Sequence, residues 1–410
     1  MHLTSREFFI DGIKRDRWIW SGDAYQSYLM NYYLFFDSPS VTRTMLNLRG
    51  KDPVTSHTNT IMDYTFYWFI GIYDYLQYTG DTHFVKQFYP RMQSLMDFCL
   101  SRRNVNGMVE GLAGDWVFID WADFKMSKRG EVSFEQLLFC RSLETMDLCA
   151  NIMEDKESEN NYSSLASDLK AKLFTSFWSA DKNAFIHNRV NGIMSDQVTP
   201  FTNMFAVLFD YLDAEKTNAV KTNVLLNPDA LKITTPYMRF YELEALCQLG
   251  ELNHVLKEIR DYWGGMLDLG ATSFWEKYNP NETGTEHLAM YGRPFGKSLC
   301  HAWGASPIYL LGKYYIGVKP EKEGYKEFSI RPVLGDLEWI EGVVPTPFGK
   351  IEVYMNKEQI KVSSDGGEGY LYFTSEQELD INIGTIEKIE NNNYKVKIEA
   401  NNEYVIRGKF

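Results

Sequence analysis

The run NTIMDYTFYWFIGIYDYLQY at residues 59–78 reads as one long helix, strongly apolar and aromatic. It stops at Gly80, a residue suited to the left-handed conformation that closes a helix C-terminus. Helical spacing continues on both sides. Upstream, Asp23–Phe36 carries Tyr25, Tyr28, Leu29, Tyr32 and Tyr33 at helical intervals, and Pro39–Leu48 follows. Downstream, the pattern predicts helices over 82–101, 133–154, 163–177, 200–212, 214–225, 236–249, 251–263 and 296–314. That makes about eleven helices between residues 21 and 315.

Near Gly317 the period changes to two. Short alternating runs are expected as strands at 328–331, 337–344, 349–355, 359–364, 369–373, 379–383 and 394–398. Pro332, Pro345, Pro347, Asp365-Gly366-Gly367 and Asn391–Asn393 punctuate them. Short strands at regular spacing predict a small antiparallel β-sandwich. The expected organisation is a helical domain at 1–316 and a β-sandwich domain at 317–410. No fixed-period repeat is present, and the long connections are rich in Asp, Trp and Gly. Both features favour a closed (α/α)6 barrel with its site on one loop face over an open solenoid.

Composition narrows the function. The net charge of −13 and the absence of a basic run argue against nucleic acid and against an anionic membrane surface. No stretch approaches the apolar length of a membrane span. The N-terminus MHLTSREFF has no apolar core of a signal peptide, which predicts a cytoplasmic location. The 5 cysteines include no CxxC pair, so buried free thiols are expected. Aromatic residues reach 15% of the chain, an excess that fits core packing and also a cleft whose rings stack on sugar faces.

Four segments carry candidate chemistry. Asp11-Gly-Ile-Lys-Arg-Asp-Arg-Trp-Ile-Trp-Ser-Gly-Asp23 packs carboxylates, cations and Trp together. Burial and like charge raise a carboxyl pKa and can keep it protonated as a general acid, while cations lower it. Read blandly, it is a salt-bridged surface loop. In Leu267–Glu276 a Gly-Ala-Thr-Ser turn delivers Trp275 and Glu276 side by side; a capped helix N-terminus is the plainer reading. Gly111–Asp123 holds two Asp-Trp pairs, with Trp116 and Trp121. Ser298–Gly304 holds His301 and Trp303, and a lone His in an apolar helix is commonly a satisfied core residue. Carboxylates and Trp in loops of one helical scaffold form the inventory of a glycosidase.

DGIKRDRWIWSGD and GATSFWE resemble the acid and base motifs of glycoside hydrolase family 78, the bacterial α-L-rhamnosidases. GDW at 114–116, SLCHAWG at 298–304 and FSIRPVLGDLEWIEGVVPTPFGKIEV at 328–353 match as well, the last resembling the family's C-terminal β-domain. The resemblance runs in order over nearly the whole chain. It implies removal of terminal α-L-rhamnose with inversion, Asp16 as general acid and Glu276 as general base, the carboxyls about 6.5–9.5 Å apart. It implies that Asp11, Arg15 and Asp23 hold rhamnose hydroxyls, that Trp20 walls the pocket, and that Trp116 and His301 line it. Trp275 joins that set, as do Trp121 and Trp68 by position alone. No metal or organic cofactor is expected.

The chain departs from the family in two ways. The acid motif is one residue shorter than in many members and carries Asp where they carry Glu. Only ten residues precede Asp11, so the expected (α/α)6 barrel lacks its first helix and the β-domains that come before it in the family. A truncated product with an exposed apolar groove, a homo-oligomer, or a partner supplying the missing domains would account for this. The competing readings are a non-catalytic rhamnoside-binding relative and a different (α/α)6-barrel glycosidase.

Overall fold

The computed structural model describes residues 1–120, 126–376 and 379–410. Eleven α-helices, besides short 3-10 turns, occupy the first three quarters of the described chain: α1 (Ser21–Tyr32), α2 (Ser38–Arg49), α3 (Met62–Thr79), α4 (Thr82–Ser101), α5 (Ser133–Ile152), α6 (Lys156–Phe177), α7 (Pro200–Leu208), α8 (Ala214–Val220, prolonged by a π turn), α9 (Pro236–Gln248), α10 (Leu252–Ile259, prolonged through a π turn to Asp268) and α11 (Pro307–Leu310, likewise prolonged). Their ends follow the local chemistry. Asp37, Asp81, Asp155, Asp213 and Thr235 each accept an otherwise unpaired backbone N–H in the first turn of a helix. Gly80 ends α3 at φ 67°, and a Cβ there would come within 3.2 Å of Gly324.

α1, α3, α5, α7, α9 and α11 touch in sequence, and α11 returns to α1, so six inner helices close a ring. α2, α4, α6, α8 and α10 pack outside it. Among the described residues no outer helix accompanies α11, and Leu311 on that helix is exposed. Inside the ring, Tyr67 stacks on Tyr25 and on Tyr241 with centroids 5.5 and 6.0 Å apart. Most of the aromatic excess is therefore core. All five cysteines are buried and unpaired as disulfides.

Strands take over after the ring: β1 (Val318–Pro320), β2 (Glu327–Ile330), β3 (Trp339–Thr346), β4 (Gly349–Asn356), β5 (Gln359–Ser364), β6 (Glu368–Thr374), β7 (Asp380–Ile381), β8 (Ile386–Glu390), β9 (Asn393–Glu399) and β10 (Glu403–Arg407). They form two five-stranded sheets, ordered β7-β10-β5-β4-β3 and β8-β9-β6-β2-β1. One pairing, β6 with β2, is parallel rather than antiparallel, because the chain crosses to the other sheet for β3, β4 and β5 between them. The strands are tied to the ring by the Tyr33 hydroxyl, which donates to the Val318 carbonyl at 2.8 Å.

One expected helix is half wrong, and the site depends on the difference. Residues 296–301 are not helical. They run beside 274–276, with Glu276 N–H donating to Ser298 O and His301 N–H to Phe274 O, both at 2.9 Å. The backbone groups of this stretch are satisfied by a neighbouring strand-like segment, which outweighs the helical periodicity of its side chains.

Candidate active site

Three distant segments meet at one end of the ring. Ile13 N–H donates to Cys300 O, and Ala302 N–H to Asp11 O at 2.7 Å, so the loop before α1 lies against 298–302, itself paired with 274–276. Gly12 sits at the tightest approach, where a Cβ would come within 2.7 Å of His301 Nδ1. The loop tip is turned by Arg15 and Arg17, both at positive φ (67° and 48°).

The convergence leaves a cavity of about 1030 Å³. Of the residues expected from sequence, Asp11, Arg15, Asp16, Trp20, Asp23, Trp116, Glu276 and His301 all line it. Trp121 lies outside the described residues. Trp275 does not face the cavity. It is 5% exposed and borders a separate pocket beside His287. In the extended segment 274–276 neighbouring side chains point to opposite sides, so Glu276 facing inward sends Trp275 outward. Trp68 is also no part of the site. It is buried between α3 and α2, where its indole N–H donates to Met45 O at 2.9 Å.

Asp23, in the first turn of α1, is buried. Its Oδ1 lies 3.3 Å from His301 Nε2, and its Oδ2 accepts from the Tyr64 hydroxyl at 3.2 Å. Asp11 Oδ1 accepts the Trp18 N–H at 2.9 Å, closing the loop. Burial, and next the charge of Asp23, push the Asp11 carboxyl up to about 6. Glu276 is 1% exposed; Oε2 accepts the Ser298 N–H at 2.9 Å, and Oε1 is ion-paired with the Arg15 guanidinium. Trp303 stacks obliquely on His301 and donates its indole N–H to Glu276 O at 2.9 Å. Asp16 stands exposed on the loop tip.

A second wall comes from the loop before α5. Asp63, in the first turn of α3, accepts the N–H groups of Phe118 and Ile119 at 3.1 and 2.9 Å. Those bonds hold Phe118 against Tyr64 and leave Trp116 half exposed at the mouth. Asp115, part of an Asp-Trp pair noted in the sequence, is ion-paired to Arg102 instead of facing the cavity.

Sequence reasoning missed Tyr64, Phe118, Lys277, Met290, Tyr291 and Arg293, which also line the cavity. Tyr64 is one aromatic among many in α3, and Tyr291 sits in a turn with no motif of its own. Among the described residues no group of three His, Cys, Asp or Glu is arranged to hold a metal ion, and no helix is long and apolar enough to cross a membrane.

Comparison with known proteins identifies the family of both parts of the chain. Residues 1–315 match the family model described as bacterial alpha-L-rhamnosidase 6 hairpin glycosidase domain, and residues 317–365 match the bacterial alpha-L-rhamnosidase C-terminal domain. A rhamnosidase of glycoside hydrolase family 78 from Bacillus sp. GL1 superposes with a TM-score of 0.74 at 28% identity, covering 85% of this chain and 37% of that one. A rhamnosidase from Klebsiella oxytoca with rhamnose bound gives 0.64 at 26% identity, covering 76% and 62%. The Streptomyces avermitilis α-L-rhamnosidase complexed with L-rhamnose gives 0.74 at 14% identity, covering 97% and 39%, a likeness of fold. The chain thus spans less than two thirds of the length of each of these relatives. Comparison with curated protein sequences gives no match.

Proposed function

Because the chain belongs to the bacterial α-L-rhamnosidase six-hairpin glycosidase family, we propose that it is a glycoside hydrolase that removes terminal non-reducing α-L-rhamnose with inversion. The observation that carries this reading is the shared cavity of Asp16 and Glu276, two carboxyls 260 positions apart in the chain (276 − 16). Inversion needs an acid on the leaving oxygen and a base on a water at the opposite face of the sugar. Asp16, exposed on the loop tip, is the proton donor in this scheme. Glu276, buried and held by Ser298, is the base. Asp11, Asp23, Arg15 and His301 offer acceptors and donors for sugar hydroxyls, and Trp20, Trp116 and Trp303 offer flat faces for its apolar side. The substrate class is a rhamnose-containing glycoside or oligosaccharide.

One observation favours a second assignment of the acid. Asp11 lines the same cavity, is 4% exposed, and has its carboxyl raised to about 6, so it can carry a proton near neutral pH. Hydrolysis of aryl α-L-rhamnosides beside aryl glucosides by wild type, Asp11→Asn, Asp16→Asn and Glu276→Gln separates these cases. Loss of either essential carboxyl lowers kcat about 10²–10⁴-fold. An activated leaving group restores most of the rate only to the variant lacking the acid. β-L-Rhamnose as the first product supports inversion, and α-L-rhamnose first would refute it.

A further inference from the structure

We infer that Tyr291 is a positioning residue for the Glu276 carboxylate, an inference that rests on the proposed function for what that carboxylate does. Glu276 is fixed on one side by backbone: its Oε2 accepts the Ser298 N–H at 2.9 Å. Its Oε1 accepts from two side chains, the Arg15 guanidinium and, at 3.3 Å, the Tyr291 hydroxyl. A carboxylate has about four acceptor positions. Three donors therefore leave one position for a water, and that position is useful only if the carboxylate cannot turn.

Arg15 alone is a poor lock, because it stands on a loop tip with left-handed backbone. Its guanidinium is steadied by the Gly296 carbonyl and by the face of the Tyr291 ring, 4.9 Å from the centroid. Tyr291 thus supplies one donor directly and supports the other. Its setting does not fit a packing role. The residue is 60% exposed and is held at φ 52° in a short turn bridged by Met290 and Arg293. A non-glycine residue in that region is strained, and strain of this kind collects at functional sites. Burial gives no return for it here, whereas the contact with Glu276 does.

The test combines steady-state kinetics on an aryl α-L-rhamnoside with urea unfolding. Tyr291→Phe keeps the ring and removes the hydroxyl; kcat is expected to fall roughly tenfold with KM nearly unchanged. Tyr291→Ala also removes the platform under Arg15, and KM is expected to rise as well. In unfolding, the midpoint changes of Tyr291→Phe and Glu276→Gln are expected not to add in the double variant. A Tyr291→Phe kcat within twofold of wild type, or midpoint changes that add, overturns the inference. A wild type that hydrolyses no rhamnoside refutes the proposed function instead, and the unfolding cycle then decides by itself whether Tyr291 holds Glu276.

Discussion

Asp23 Oδ1 lies 3.3 Å from Nε2 of His301, although 278 positions separate them in the chain. Both residues are nearly sealed from solvent, and the Tyr64 hydroxyl completes the group from α3. A buried carboxylate is tolerated when its charge is met by hydrogen-bond donors. This contact fastens the start of the ring to its end, and it does so within the cavity.

The fastening depends on Gly12. Its missing side chain leaves room for His301 Nδ1, Ser298 Oγ and Cys300 O, which would stand 2.7–3.0 Å from a Cβ. Gly12→Ala is expected to destabilise the fold by about 1–3 kcal/mol and to lower rhamnoside turnover, since Asp11 and His301 must shift apart. Urea unfolding and steady-state kinetics measure both effects. A variant as stable and as active as wild type would contradict the close packing.

Stability should depend on pH through Asp63. Burial raises its carboxyl to about 6, above the ordinary value, despite the two N–H groups it accepts. Glu135, fully buried with neither oxygen partnered among the described residues, is raised as well by burial and then by Asp63. A carboxyl raised in the folded state stabilises most below its unfolded pKa, and the contribution is lost as pH rises through the folded value. Wild type should therefore lose stability relative to Asp63→Asn between about pH 4 and 6, by on the order of 2 kcal/mol. Denaturation of both proteins across that range tests this; a difference constant with pH would exclude it.

Two tryptophans should behave oppositely. Trp116 is half exposed at the cavity mouth, and Trp275 is 5% exposed on the far side of its segment. Trp116→Ala is expected to raise KM several-fold, about 1 kcal/mol of lost stacking, with little change in the melting temperature. Trp275→Ala is expected to cost about 3 kcal/mol of stability while KM for the surviving folded enzyme stays close to wild type. Reversed effects would mean that the two side chains have been assigned to the wrong sides.

Much of this arrangement was legible in the sequence, for identifiable reasons. Helices such as α4, whose expected bounds match, announce themselves through periodicity and caps over twenty residues. The charged loop at 11–23 and the turn before Glu276 stood out because carboxylates beside Trp are uncommon in core or coil. What periodicity could not supply was pairing between distant backbones. Residues 296–301 carry a helical pattern yet bond to 274–276, and that error concealed the strand-like frame of the site. Tyr64 and Tyr291 were invisible for a related reason: a tyrosine becomes part of a site by where its hydroxyl arrives, and nothing local encodes that. Strands β1, β8 and β10 escaped notice because the first is only 3 residues, the second is a largely exposed edge, and the third buries Tyr404, Val405 and Ile406 in a row without alternation.

The ring closes where its chemistry is assembled, and that has a consequence for biosynthesis. A nascent chain can lay down α1 to α10 as successive local hairpins, but the pocket stays open until residues 300–302 have left the ribosome and paired with the first loop. Completion of the pocket therefore comes last, as a check that the whole circuit of helices has been made.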